Sequence, residues 1–276
     1  MAMRSTYFGV LIVGLVLGQL NSSPVPVVLI SDPGVDDAAM MLLAIASPTE
    51  IELLGVHSTF GCHSDINVVY ENAQRVLHAA GKLGTIGVHR GAVAPLGTIR
   101  GADLSGGDGR IVHGPDALGG PEVARPPLPP LSERAPQPTV SGAEHLVALA
   151  RSRPDEIVVL CASATTELAL ALALEPELPK LLKAVYVMGG AVNHFGNVSP
   201  LAEANFAWDA QAARLVVAAF NEKLTLFPLD VTHAALFSWD NAEELRARGG
   251  SAAGWFADIH NHFRERYAIV EVRRVS

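Results

Sequence analysis

Short apolar runs that alternate with helical patterns constrain the fold of this 276-residue chain more than any other feature. Residues 25–30 ("VPVVLI") are typical of a buried strand, and residues 36–47 follow as a helix whose acidic start suits the helix dipole. Further strands are predicted at 51–59, 157–163, 183–190 and 223–230, and further helices at 64–81, 165–174 and 208–220. This alternation predicts an α/β fold with an open, mostly parallel sheet that helices cover on both faces.

The first 23 residues stand apart from this pattern. Arg4 lies near the amino terminus, an apolar run follows from Tyr7 to Leu20, and small polar residues close the segment. That order is typical of a secretory signal, and the run is shorter than the ~20 residues that span a bilayer. We therefore expect 1–23 to be a signal or targeting segment of a secreted protein, followed by one domain over 24–276. The alternative is an extra buried strand or helix of a cytoplasmic protein.

The regular alternation stops between residues 91 and 140, where Gly, Pro and Asp are dense. A stretch of this length without periodicity is usually a functional loop, a lid or a linker. A disordered insertion is the alternative for residues 121–138. By contrast, "HGPDALGG" (113–120) has the composition of a turn with a polar head.

The charge balance excludes one class of partner. Lys and Arg total 20 against 28 Asp and Glu, which gives a net charge of −8, and the only basic cluster is the short "VRRVS". Phosphate contacts need clustered basic residues, so no nucleic-acid surface is expected. Cys62 and Cys161 are too few for a disulfide scaffold; we expect two buried thiols, with a single bridge as the alternative.

The segments that follow the strands carry the polar residues of a small-molecule site. After the first strand come three aspartates, and the later strands are followed by "STFGCHS", "CASATT", "MGGAVNHFGNVSPLAEAN" and "DVTH". Ligands of open α/β sheets bind outside the carboxyl ends of the strands. These segments have almost no Lys or Arg, and neither GxGxxG nor GxxxxGK[ST] occurs. The edge therefore suits a hard cation together with a neutral, polyhydroxylated ligand.

Asp32, Asp36 and Asp37 crowd one turn in "LISDPGVDDAAMM" (29–41). Three like charges repel each other unless a cation joins them, and oxygen donors favour Ca²⁺ or Mg²⁺ over zinc. The spacing is not that of an EF-hand loop. The alternative is that Asp36 and Asp37 merely charge a helix N-terminus, worth about 0.3–1 kcal/mol each.

Six motifs between Val25 and Tyr267 resemble, in this order, those of the inosine–uridine nucleoside hydrolases. They are "SDPGVDDA" (31–38), "STFG" (58–61), "ENAQ" (71–74), "VMGG" (187–190), "GNVSPLAEANFAWD" (196–209) and "LDVTH" (229–233). The resemblance implies a Rossmann-like sheet of the nucleoside hydrolase fold and a tightly bound Ca²⁺. It also implies hydrolysis of the N-glycosidic bond of ribonucleosides to base and ribose.

The resemblance also implies roles for particular residues. Asp32 and Asp37 match metal ligands, Asp32 also matches the base toward the attacking water, and the Ala162 main-chain carbonyl falls where the family offers a backbone ligand. The residues that match substrate contacts are Asp36, Asn197, Glu203 and Asn205, which bind ribose hydroxyls, Met188 under the sugar, and His113 in a loop near the substrate.

Several positions depart from the family pattern. Ile30 replaces an Asp two places before the Asp of "DPG", Cys62 stands where Asn is expected, and Glu167 replaces an Asn after "ASATT". Family members continue beyond "RERY" to a His-Asp pair whose Asp ligates the metal, whereas this sequence reads "AIVEVRRVS". We therefore expect weak Ca²⁺ binding and slow hydrolysis.

Two classes of function stay open. One is a ribonucleoside hydrolase, a homo-oligomer that acts on a small nucleoside. The other is a non-catalytic relative that binds nucleoside or ribose and has lost turnover.

Overall fold

The computed structural model describes residues 4–6, 23–97, 112–120, 123, 127–134 and 136–261. For residues 4–6 and 236–239 the description covers the backbone alone. Within them the strands are β1 (Arg4–Thr6), β2 (Val25–Ser31), β3 (Ile51–Ser58), β4 (Val88–Arg90), β5 (Val158–Cys161), β6 (Ala184–Met188), β7 (Leu224–Phe227) and β8 (Leu236–Ser238). The α-helices are α1 (Val35–Ala46), α2 (Ile66–Ala79), α3 (Gly142–Ser152), α4 (Thr166–Leu174), α5 (Leu178–Leu181), α6 (Ala204–Trp208), α7 (Ala210–Phe220), α8 (Leu229–Thr232) and α9 (Trp239–Arg248). Residues 251–261 are also helical.

Six of the strands form one parallel sheet in the order β4-β3-β2-β5-β6-β7. The chain runs outward from β2 to β3 and β4, then crosses back over β2 and lays down β5, β6 and β7 on its other side. This is the Rossmann strand order, with its reversal between β2 and β5. The sheet confirms the fold that the strand–helix alternation predicts.

The two faces of β2 pack against different helices, because successive side chains of a strand point to opposite faces. Val27 and Leu29 belong to a buried cluster with residues of α1 and α2. Val28 and Ile30 belong to a second cluster with residues of α3, α4, α5 and α7. Ile30, which departs from the family pattern, is thus a core residue with 0% exposure.

The structure differs from the sequence prediction in several elements. Strand β8, the helices α5, α6, α8 and α9 and the helical residues 251–261 were not predicted, and three further differences concern the parallel sheet and its cover. The predicted strand 223–230 ends at Phe227, because Pro228 precedes the short helix α8. β4 and α3 were not predicted. β4 has only three residues, and α3 lies directly after the irregular region.

Most of the 1–23 segment lies outside the described residues, so its assignment as a signal stays a prediction. Residues 4–6 form β1, which pairs antiparallel with β8 as an element of the domain would. Residues 121–122, 124–126 and 135 of the segment for which a disordered insertion is the alternative also lie outside the described residues. Within the described part of that segment, Leu131–Glu133 is a single 3₁₀ turn. Both cysteines are free and buried, as expected. Among the described residues, no helix combines the length and apolar character needed to cross a bilayer.

Candidate active site

The carboxyl ends of β2 and β5 meet where the strand order reverses. Ile30 on β2 pairs with Cys161 on β5, and the amide of Ala162 donates to the carbonyl oxygen of Ile30 at 2.9 Å. Asp32 therefore leaves the sheet beside Ala162, the predicted backbone ligand. Open α/β sheets bind ligands in the crevice at this point.

Asp32 and Asp37 form a buried acidic pair at this edge, with exposures of 2% and 3%. Oδ2 of Asp32 accepts a hydrogen bond from the Cys62 amide at 2.5 Å. Oδ2 of Asp37, in the first turn of α1, accepts one from the Gly34 amide at 3.0 Å. Oδ1 of Asp37 is buried and has no hydrogen-bond partner among the described residues. One carboxylate oxygen is thus left with unused acceptor capacity.

Burial raises the pKa of both carboxyl groups well above their usual range, and the neighbouring charge of Asp36 raises each of them further. Asp32 also raises the pKa of Asp37. A cation between them would have the opposite effect, because an adjacent positive charge favours the ionised form. The unpartnered Asp37 oxygen and the buried carboxylate pair therefore fit a divalent cation.

The Cys62 thiol belongs to the same group. Asp32, Asp37 and Cys62 each offer one ligand atom, and these atoms lie within 4.8 Å of one another. Gly61 permits the close approach, because a Cβ there would stand 1.9 Å from Oδ2 of Asp32. Burial raises the pKa of the thiol well above its usual range, and the aspartates raise it further. The sequence marked Cys62 only as a departure, although β3 ends at this same edge of the sheet.

A second polar group lies two strands away, beyond the end of β6. Glu203 is buried and accepts three backbone hydrogen bonds, from Gly190 at 2.9 Å, Asn205 at 2.9 Å and Phe206 at 3.1 Å. Nδ2 of Asn205 lies 3.3 Å from the carbonyl oxygen of Met188 and 3.2 Å from its sulfur. The structure thus brings three of the predicted sugar contacts together.

Asn197 supports this second group from the preceding loop. Its Oδ1 accepts a hydrogen bond from the Ala204 amide, the first residue of α6, at 2.8 Å. That carbonyl oxygen is therefore used to hold the loop against the helix. The ribose contact of Asn197 stays a prediction, and it would be made through the side-chain NH₂ group.

His113 and Asp36 lie together at the rim of the acidic pair. Nδ1 of His113 is 3.8 Å from Oδ1 of Asp36, and it accepts a hydrogen bond from the Val35 amide at 3.3 Å. Burial lowers the pKa of His113, whereas Asp36 acts in the opposite direction. The hydrogen bond from the Val35 amide uses Nδ1 as acceptor and leaves Nε2 as the ring nitrogen that can donate.

Asn72 connects the aspartate turn to the loop that carries His113. Its Nδ2 donates to the carbonyl oxygens of Pro33 at 3.1 Å and Asp116 at 2.8 Å. Oδ1 of Asp116 in turn accepts from the amides of Leu118 at 3.1 Å and Gly120 at 2.7 Å. The "ENAQ" motif was recognised in the sequence without a role, and this bridge supplies one.

The fold and this edge define an α/β protein of Rossmann strand order with a buried acidic group at the strand reversal that could hold a metal ion. The sequence model of the family described as inosine-uridine preferring nucleoside hydrolase matches residues 27–273. The chain belongs to this family of N-glycosyl hydrolases, whose members split ribonucleosides into base and ribose.

Individual relatives agree with this assignment. An inosine-uridine preferring nucleoside hydrolase of Leishmania major is 32% identical over 251 residues, which cover 88% of this chain and 73% of that protein. Uridine nucleosidase 1 of Arabidopsis thaliana is 30% identical over 254 residues, covering 91% and 70%. A solved purine-preferring ribonucleoside hydrolase from Gardnerella vaginalis superposes with a TM-score of 0.77 at 24% identity, over 88% of this chain and 72% of that one, and shows the shared fold.

Proposed function

We propose that this chain hydrolyses uridine and inosine to base and ribose, and that it uses Ca²⁺ held by Asp32, Asp37 and the Ala162 carbonyl. The observation that carries the proposal is the buried Asp32–Asp37 pair at the strand reversal of the sheet, in which Oδ1 of Asp37 has no hydrogen-bond partner among the described residues. When bound, the cation supplies Lewis acidity that lowers the pKa of the attacking water. The names of the relatives support the choice of the two nucleosides.

Asp32 is the base in this proposal. The Cys62 amide fixes one of its carboxylate oxygens, which sets the orientation of the other. An oriented carboxylate accepts the proton of the attacking water while the C–N bond of the nucleoside breaks, through a transition state of oxocarbenium character. The departing base takes the electron pair of the C–N bond and one proton from the solvent, and Asp32 returns the proton of the water to the solvent, so that nucleoside and water give ribose and neutral base.

Glu203 and Asn205 hold the ribose. A carboxylate has about four acceptor positions, and Glu203 uses three of them on backbone amides. The remaining position accepts a ribose hydroxyl. Because the backbone amides already fix the carboxylate, its side chain loses little conformational freedom when the sugar binds. Met188, which contacts Asn205, provides apolar surface under the sugar ring.

His113 and Asp36 lie at the substrate side of the acidic pair. With Nδ1 engaged by the Val35 amide, His113 presents Nε2–H as a hydrogen-bond donor. Such a donor suits a polar atom of the nucleoside, and Asp36 suits a ribose hydroxyl.

The test is release of free base from uridine and from inosine, followed by HPLC in Ca²⁺ and after removal of cations with EDTA. We expect Ca²⁺-dependent release that Asp37→Asn abolishes. Exposed Glu244→Gln is the matched control and should behave as wild type. Turnover that persists in EDTA would contradict the proposed role of the cation.

The alternative function, nucleoside or ribose binding without turnover, gives a different result in the same preparation. Calorimetry would then detect ribose or uridine binding that depends on Glu203 and Asn205, while no base appears in any buffer.

A further inference from the structure

The cation site contains a donor that an oxygen-only site lacks. Cys62 is 5% exposed, and its backbone amide donates a hydrogen bond to Oδ2 of Asp32 at 2.5 Å. Its sulfur offers one of the three ligand atoms that lie within 4.8 Å of one another. The thiol therefore points into the acidic pair.

Gly34 lies between the Cys62 thiol and the imidazole of His113. A Cβ on Gly34 would meet Sγ of Cys62 at 2.8 Å and Nδ1 of His113 at 2.9 Å. Sulfur and imidazole thus flank the same point of the aspartate turn, and only the absence of a side chain leaves that space open.

The chemistry of these donors differs from that of a calcium site. Ca²⁺ takes 6–8 oxygen ligands, whereas thiolate and imidazole select zinc-like cations of fewer ligands. Two carboxylates and a thiol are donor types that zinc sites use. Oδ1 of Asp37, buried and unpartnered among the described residues, independently indicates that a cation belongs here.

We infer that the same site takes a thiophilic divalent cation of the Zn²⁺ class, with Cys62 as thiolate ligand beside Asp32 and Asp37, in competition with Ca²⁺. On binding, the thiol releases its proton to the solvent and the thiolate forms the metal–sulfur bond. The inference rests on the cation site of the proposed function but does not require turnover.

Direct metal binding to the full chain tests this inference. Metal-free protein is titrated with Co²⁺, whose bonds to thiolate produce a charge-transfer absorption band in the near ultraviolet. Zn²⁺ and Ca²⁺ affinities are then measured by competition with a chromophoric chelator. Because the chain has only two cysteines, Cys161→Ser is a matched control for Cys62→Ser.

We expect wild type and Cys161→Ser to show the cobalt–thiolate band, and Cys62→Ser to lose it. Zn²⁺ affinity should fall at least about 10–100-fold in Cys62→Ser, the range for perturbing a metal site, while Ca²⁺ affinity is kept. Cys62→Asn serves as a second variant, checked by circular dichroism. Absence of the band in wild type, or unchanged Zn²⁺ affinity without the thiol, would overturn the inference. A band in a protein that does not hydrolyse nucleosides would overturn only the proposed function.

Discussion

Nδ1 of His57 and Oε1 of Glu167 face each other at 4.0 Å, both fully buried. Nε2 of His57 lies 3.0 Å from Nδ1 of His145, whose ring stacks on His89 at 3.8 Å between centroids. The other oxygen of Glu167 accepts from the Ala92 amide at 2.6 Å. Burial raises the pKa of Glu167 to about 7 and lowers that of His57 well below its usual value. Near pH 6 the pair is therefore a neutral acid facing a neutral imidazole.

Replacing Glu167 should change stability in a pH-dependent way. The unfolded chain releases this proton near 4.5 and the folded chain near 7, so stability falls as the pH rises between these values. At pH 8.5 the buried charge costs about 3 kcal/mol. Glu167→Gln should recover most of this at pH 8.5 and little at pH 5, measured by urea unfolding. Exposed Glu177→Gln is the control and should change stability by under about 0.5 kcal/mol. An equal effect of Glu167→Gln at both pH values would contradict the raised pKa.

Asp37→Asn should have opposite effects with and without cation. In EDTA the variant removes a buried carboxyl that Asp32 and Asp36 repel, and the Gly34 amide keeps an acceptor, so thermal stability should rise by about 1 kcal/mol. In Ca²⁺ at 100 times its Kd, wild type should gain about 2.7 kcal/mol and the variant nothing. Thermal unfolding with and without Ca²⁺ measures both. A variant that still gains stability from Ca²⁺ would place the cation elsewhere.

Asn72→Ala should weaken the cation site without touching a ligand. The carbonyl oxygens of Pro33 and Asp116 lose their shared donor, which should cost about 1–3 kcal/mol of stability and about 10–100-fold in Ca²⁺ affinity. Calorimetric titration with Ca²⁺ measures the affinity. Asn67→Ala, exposed on the same helix, should leave it unchanged. If both variants bind Ca²⁺ like wild type, the bridge does not position the aspartate turn.

Substitutions of Glu203 should affect both ribose binding and stability, because the same carboxylate is proposed to bind the sugar and accepts three backbone hydrogen bonds. In Glu203→Gln one backbone amide meets an NH₂ group in place of an oxygen, which should cost about 1–3 kcal/mol. Glu203→Ala leaves all three amides without an acceptor and should cost more. Both variants should raise the KM for uridine, whereas exposed Glu222→Gln should not. An unchanged KM in Glu203→Gln would remove this residue from the ribose site.

Periodicity predicted the sheet because five of its six strands have four or more residues and are rich in apolar side chains. β4 was missed since Val88–Arg90 is too short to show alternation. α3 was missed although its Ser141–Glu144 capping box, with mutual hydrogen bonds, has a readable S-x-x-E pattern. The extended strand prediction at 223–230 failed because Pro228 ends the ladder.

Sequence motifs predicted the candidate site residues that lie close together in the chain. The aspartate turn and the 196–209 segment each act through residues close in sequence, so their groups could be anticipated. The placement of Cys62 against Asp32 depends on two parallel strands ending in register, with Ser31 opposite Ser58. The contact of His57 with His145 joins residues 88 apart in the chain and left no local pattern.

The central position of β2 also matters for how the chain emerges from the ribosome. β2 is synthesised before its neighbours, and its partner on one edge, β3, is complete once residue 58 has been made. The opposite edge stays open until Val158–Cys161 has been made. Through that interval, a bare row of backbone donors and acceptors borders the acidic pair, and such an edge can recruit strands from other chains. The length of chain between β3 and β5 therefore sets how much of the protein must be made before this edge of β2 can be paired.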